Sequence, residues 1–154
     1  MIYFHGNAED NALAFDQAQS IGDYLNVNVI MIEFPGFGLY SGNGSASEAK
    51  IKQDSEYVFR FILQDTGMDP GNIFVFGRSM GGGPAAFLAA NFPCGALCLM
   101  STYTSIRAVT GDKVGWLRFL VSERFSNLEC VKKADMPTFI LHGMADDVIP
   151  FHHG

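Results

Sequence analysis

Phe74-Val75-Phe76-Gly77-Arg78-Ser79-Met80-Gly81-Gly82-Gly83-Pro84-Ala85 runs from an apolar, β-type segment through Gly-x-Ser-x-Gly into a helix of small residues. A serine at such a junction sits on a sharp strand-to-helix turn, which pushes its side chain out beyond the C-terminal edge of a sheet. Gly77 and Gly81 omit the Cβ atoms that would collide as strand and helix pass each other. The turn also aims the first helical N–H groups at whatever Ser79 attacks, so the Met80 N–H can stabilise a developing oxyanion. Taken alone the motif is weak in a chain with 17 glycines, and a plain connecting turn or a phosphate loop are the bland alternatives. A phosphate loop wants Lys and then Ser or Thr after its last glycine, where this chain has Pro84 and Ala85. The flanking sequence has to decide.

Upstream, Met1–Phe4 reads as a buried strand and His5-Gly6-Asn7-Ala8-Glu9-Asp10 as the loop at its C-terminal end. Ala14, Ala18, Ile21 and Leu25 predict an amphipathic helix over Asn11–Leu25. Val27–Ile32, apolar but for Asn28 and rich in β-branched residues, predicts a second buried strand. The stretch from Glu33 to Gly44 is too dense in Gly and Pro for anything but a loop. Its Gly36-Phe37-Gly38 lacks the third glycine of a dinucleotide fingerprint, since Ser41 stands there and no helix opens. Ser45 and Glu48 form a capping box for a long helix with Ile51, Ser55, Val58 and Ile62 on one face.

Ile73–Phe76 is the third strand, Met80–Asn91 the helix after Ser79, Ala96–Met100 the fourth strand and Thr138–Leu141 the fifth. Apolar strands alternating with helices predict an α/β fold: a three-layer α/β/α domain on a mostly parallel sheet of about five strands, covered on both faces. Ser101–Asp135 is the least regular part. Val114, Trp116, Leu117, Phe119, Leu120 and Val121 lie on more than one side of a helix there, which suits either packing on the sheet or a lid over an acyl pocket.

The totals narrow the function. The 154 residues are one domain's worth, 48% of them hydrophobic, with a net charge of −6 that argues against nucleic acid or an anionic membrane as electrostatic partner. Cys94, Cys98 and Cys130 are odd in number and lie in or beside apolar runs, which reads as free thiols of a reducing, cytoplasmic compartment. No apolar run approaches the ~18 residues of a membrane span, and Met1–Phe4 is too short for a secretory signal. The chain opens inside a strand and stops where a helix is about to begin, so both ends look cut.

In parallel sheets, ligands bind beyond the carboxyl ends of the strands. After the first strand, the Asn7 N–H can join that of Met80 in a two-donor oxyanion hole; after the third comes Ser79; after the fifth come Asp146 and Asp147. Ser101-Thr102, after the fourth, reads as wall. These pieces in this order resemble the α/β-hydrolase superfamily. His5–Glu9, Phe34–Gly38 with Ser41-Gly42, Gly77–Gly83, and Leu141-His142-Gly143 with Asp146, Val148, Ile149 and Pro150 look like the branch that contains protein depalmitoylases, close also to serine aminopeptidase-like hydrolases. The resemblance implies Ser79 as nucleophile, Asp146 as the acid that orients the base, and Asn7 and Met80 as oxyanion donors. It implies acyl transfer through an acyl-serine on an ester or thioester, a lipidated protein among the candidate substrates, with no metal or cofactor. Peripheral membrane attachment would follow from anchoring cysteines that such relatives carry ahead of the domain.

One part is missing. The superfamily's order is Ser, acid, His, with the His some two to three dozen residues past the acid, and only eight residues follow Asp146. His5 and His142 read as satisfied loop histidines, and His152 and His153 as remote candidates for the base. Adjacent side chains pointing apart disfavour a metal site made of His152 and His153 with Asp146 and Asp147. The expectation is a single hydrolase domain lacking its first strands and its His-bearing segment, inactive by itself for want of the base. The alternatives are a non-catalytic acyl-binding relative and a serine peptidase.

Overall fold

The computed structural model describes residues 1–41, 47–114 and 124–154. Five strands, β1 (Ile2–Phe4), β2 (Ile30–Ile32), β3 (Phe74–Arg78), β4 (Ala96–Met100) and β5 (Thr138–Leu141), pair in the order β2-β1-β3-β4-β5. Every pairing is parallel, with Phe4 opposite Gly77 and Arg78 opposite Met100. The helices among the described residues are α1 (Asn11–Leu25), α2 (Glu48–Thr66), α3 (Gly82–Asn91), α4 (Ile106–Val114) and α5 (Asn127–Val131). The expected α/β fold on a parallel sheet is therefore present.

Local chemistry sets the helix ends. The Asp10 carboxylate accepts the Leu13 N–H at 2.9 Å to start α1, and Asn26 closes it in the left-handed region at φ 52°. That closure also explains why β2 is shorter than its apolar run. The Val27 N–H is spent on the Gly22 carbonyl, 2.9 Å away, so strand pairing starts only at Ile30. At α2 the cap is Ser47, whose hydroxyl accepts the Lys50 N–H at 3.2 Å; Ser45 of the expected capping box lies outside the described residues. Its buried face is Ile51, Ser55, Phe59 and Ile62, with Val58 half-buried beside them.

One face of the sheet packs on α2 and α3 through Phe4, Ile51, Phe59, Val75, Leu88 and Leu97. The other carries α1, with Ala14 and Ala18 against Tyr3 and Phe76, whose rings stack at 4.9 Å. Cover is uneven, contrary to the sequence expectation. All four residues of β5 are exposed; on the α1 side, Phe139 at 62% and Leu141 lie beyond the helix, which packs over β1 and β3.

Candidate active site

The chain steps from β1 outward to β2 through α1, then crosses back over β1 to β3 through α2. Loops leaving β1 and β3 therefore head for helices on opposite faces, which opens a crevice between two neighbouring strand ends. Ser79 sits at that point. Its φ is 50°, in the left-handed region that non-glycine residues rarely occupy. The strain is held by two close approaches: a Cβ on Gly77 would run into the Gly81 backbone, and one on Gly81 into the Phe4 carbonyl. The first turn, Ser79–Gly81, is a 3-10 turn rather than part of α3, so the expected helix over Met80–Asn91 begins regularly only at Gly82.

Half-buried Ser79 lines two adjoining hollows. A polar cleft of about 430 Å³ is formed by Gly6, Asn7, Ala8, Glu9, Arg78, Ser79, Ser101, Asp146, Val148 and Ile149. An apolar pocket of about 390 Å³ lies alongside, bounded by Met80, Tyr103, Ile106, Val109 and Thr110 and sharing Asn7, Ser79, Val148 and Ile149 with the cleft. Of the residues singled out in the sequence, Asn7 and Ser79 line both hollows, Asp146 the polar cleft and Met80 the apolar pocket. Asp147 lines neither.

Asp146 is held by its own loop. Its Oδ1 accepts the Ile149 and Val148 N–H groups, both at 2.9 Å. Those bonds, that from Ile149 first, keep its carboxyl below the usual aspartate range against the opposing effect of burial, with the charge of His142 and a hydroxyl bond from Ser101 helping. Ser101 is therefore more than wall: with φ at 44°, it leans from the end of β4 onto this carboxylate.

Several supporting residues carried no sequence signal. The Thr102 hydroxyl donates to the Ser79 carbonyl at 2.9 Å and the Tyr103 hydroxyl to the Met80 carbonyl at 3.2 Å. Asn127, on α5, donates in turn to Thr102 Oγ1 and the Tyr103 carbonyl at 3.2 and 2.9 Å. On the other side, Glu9 Oε1 takes the Gly6 N–H at 2.7 Å and Arg78 Nη1 at 2.5 Å, tying the loop after β1 to the end of β3. A polar side chain that bonds a distant backbone group in this way leaves no periodic mark in the sequence.

None of the four histidines lines either hollow. His5 is buried, Nδ1 against the Gly6 carbonyl at 2.8 Å and Nε2 against Glu33 at 2.7 Å. His142 Nε2 donates to the Ile149 carbonyl at 2.8 Å and stays 3.8 Å from Asp146. His153 lies between Thr104 and Asp112, and His152 also reaches Asp112, at 3.0 Å. The two do not point apart: their rings stack at 4.6 Å. Burial raises the thiols of all three cysteines, Cys94 to about 11, which leaves them protonated at neutral pH. Of the expected lid, Val114 ends α4 and the other named residues lie outside the described residues; Ile106, Val109 and Thr110 of α4 do line the apolar pocket. Among the described residues, no helix is long and apolar enough to cross a membrane.

A hydroxyl on a strained turn, a carboxylate and an apolar pocket at the switch point of a parallel sheet define a hydrolase-type α/β architecture. No protein-family model matches the chain. Among curated proteins, alpha/beta hydrolase domain-containing protein 17C of Xenopus laevis is 30% identical over 155 residues, covering 100% of this chain and 48% of that protein. The human alpha/beta hydrolase domain-containing protein 17B is 29% identical, with 52% of it covered. The chain spans about half the length of the curated relatives it matches. A solved alpha-beta serine hydrolase homologue from Coxiella burnetii superposes with a TM-score of 0.68 at 19% identity, over 98% of this chain and 64% of that one. A puromycin-hydrolysing peptidase of Mycobacterium tuberculosis gives 0.72 at 16%, over 99% of this chain and 26% of that one. The structural likeness is one of fold. The chain has the α/β-hydrolase fold, and the curated relatives it matches, named alpha/beta hydrolase domain-containing proteins, support that superfamily.

Proposed function

We propose that the chain carries the acyl-transfer site of a serine hydrolase acting on ester or thioester bonds. Ser79 attacks the acyl carbon, the Asn7 and Met80 N–H groups stabilise the oxyanion, and Asp146 would orient a histidine base that takes the serine proton, a base these 154 residues do not themselves place beside Ser79. The observation that carries this reading is that Ser79 stands in the left-handed region on the rim shared by a cleft containing Asp146 and an apolar pocket. A pocket of about 390 Å³ fits a flexible acyl chain, and the polar cleft would take the leaving group. A lipidated cysteine presents both halves, and the names of the curated relatives, hydrolase domain-containing proteins, agree with the general class.

No histidine of this chain is beside Ser79, so the 154 residues alone are expected to turn over little. Loss of a triad base typically costs on the order of 10⁴ to 10⁶ in rate. The test is labelling by a fluorophosphonate probe. Faint labelling that disappears in Ser79→Ala is the expected result; strong labelling that persists in Ser79→Ala would reject Ser79 as the nucleophile.

The same lack of a neighbouring histidine favours a second reading, a binding module that keeps the acyl pocket without turnover. It requires saturable binding of a fatty-acyl ligand that survives Ser79→Ala. A peptidase ranks below both. The other carboxylate lining the cleft beside Asp146, that of Glu9, is already engaged by Arg78 and Gly6 and so is poorly placed to hold a peptide amino terminus. Rates on thioester, ester and aminoacyl chromogenic substrates separate the three.

A further inference from the structure

A second convergence of polar side chains lies away from both hollows. Asp112 near the end of α4 and His152 and His153 in the 3-10 turn Phe151–His153 bring three ligand-type atoms within 4.8 Å of one another. The Nε2 atoms of His152 and His153 lie 3.0 and 2.8 Å from the same oxygen, Asp112 Oδ2. The rings stack with 30° between their planes, so both nitrogens look into one space.

A hydrogen-bonded clamp is the simpler account, and it explains His153. Its side chain is 3% exposed, its Nε2 faces Asp112 and its Nδ1 faces Thr104. It does not explain His152. That side chain is 66% exposed, and a solvated ion pair of this kind is worth only about 0–1 kcal/mol, little reason to turn the ring inward onto its neighbour. Two imidazoles and one carboxylate facing a common point are the donor set of divalent transition ions, whereas magnesium and calcium prefer all-oxygen sets.

We propose that Asp112, His152 and His153 form a binding site for a divalent transition-metal ion of zinc's class, with solvent completing the coordination. Bonds of ~2.0–2.1 Å in a tetrahedral arrangement put donor atoms roughly 3.4 Å apart. The present 2.8 and 3.0 Å separations need open by roughly half an ångström to reach it. For His153 to ligate through Nε2, the proton must sit on Nδ1. The Thr104 hydroxyl, 2.9 Å away, can accept it once its own hydrogen rotates elsewhere, while the longer 3.3 Å contact from the Thr104 N–H is given up. The ion would tie α4, which supplies Ile106, Val109 and Thr110 to the apolar pocket, to the segment following the Asp146 loop. Metal occupancy would thereby fix one wall of that pocket.

The test uses the chain without a polyhistidine tag, stripped with chelator, and titrated calorimetrically with zinc chloride and, separately, magnesium chloride. One equivalent of zinc is expected to bind saturably and raise the melting temperature, with no effect of magnesium. Cobalt(II) in its place should give the strong visible bands of tetrahedral coordination. His153 is buried and its removal threatens the fold, so the diagnostic variants are His152→Ala and Asp112→Asn, each checked by circular dichroism without metal. Both should weaken zinc binding at least tenfold. No stoichiometric uptake, or uptake unchanged in either variant, overturns the site and leaves a hydrogen-bonded clamp.

Discussion

Asp146 shows how a loop fixes the charge of a single side chain. Two main-chain N–H bonds at 2.9 Å and the Ser101 hydroxyl stabilise its ionised form more than burial disfavours it, so its folded pKa lies below the unfolded one. A group depressed in this way contributes stability that is fully present above its unfolded value, about 3.9, and is lost as pH falls through the lower folded value. Asp146→Asn keeps the shape and an acceptor oxygen but loses the charge. It is expected to cost about 1–2 kcal/mol near neutral pH, since bonds to charged acceptors are the stronger kind. Urea unfolding of the two proteins from pH 7 downward checks this: the gap should hold to about pH 4 and then narrow. A gap that widens in acid would mean that the carboxylate is not stabilised by its loop. Ser79 is held differently, in backbone strain at φ 50° that the close approaches at Gly77 and Gly81 help sustain.

The turn bearing Ser79 is braced from the next strand along. Thr102 and Tyr103 leave the end of β4 and donate to the carbonyls of Ser79 and Met80, and Asn127 of α5 holds both. Tyr103 is 3% exposed, and burial raises its hydroxyl well above the usual tyrosine range, so it remains a donor at every working pH. Tyr103→Phe should then cost about 1 kcal/mol, the worth of one such bond with little change in packing. A shift of the urea midpoint with an unchanged slope is the expected reading; no shift would show the brace to be idle. This brace marks where sequence reasoning stopped. The elbow and the succession of strands along the chain follow from periodicity and from glycines forced by close approach, and the position of Asp146 from its place after β5. Ser101-Thr102 gave only a wall, because a bond from a side chain to a distant carbonyl has no periodic signature. The β2 boundary was missed because the end of α1 claims Val27 first. The histidine pair was misjudged because a 3-10 turn sets successive side chains about 120° apart, not on opposite sides as in extended chain.

Taken together, the layers distribute apolar surface unequally. On the α1 side, Tyr3 and Phe76 are covered, but the stripe continues through half-buried Cys98 and Met100 to Phe139 and Leu141, which are 62% and 48% exposed. β5 is also the sheet's edge, so an open hydrogen-bonding rim and an apolar face coincide. The net charge of −6 opposes contact between copies, yet such repulsion is screened beyond about 10 Å at 0.1 M salt, while apolar burial is not. Self-association at micromolar concentrations that grows with added salt is the expected balance. Phe139→Lys places a cation in the middle of the stripe, where the side chain is largely solvated, and should cost the fold less than about 1 kcal/mol. Sedimentation velocity across a salt series distinguishes the outcomes. A wild-type chain that stays monomeric throughout, or a variant that associates just as strongly, would mean that the β5 face is not the adhesive one.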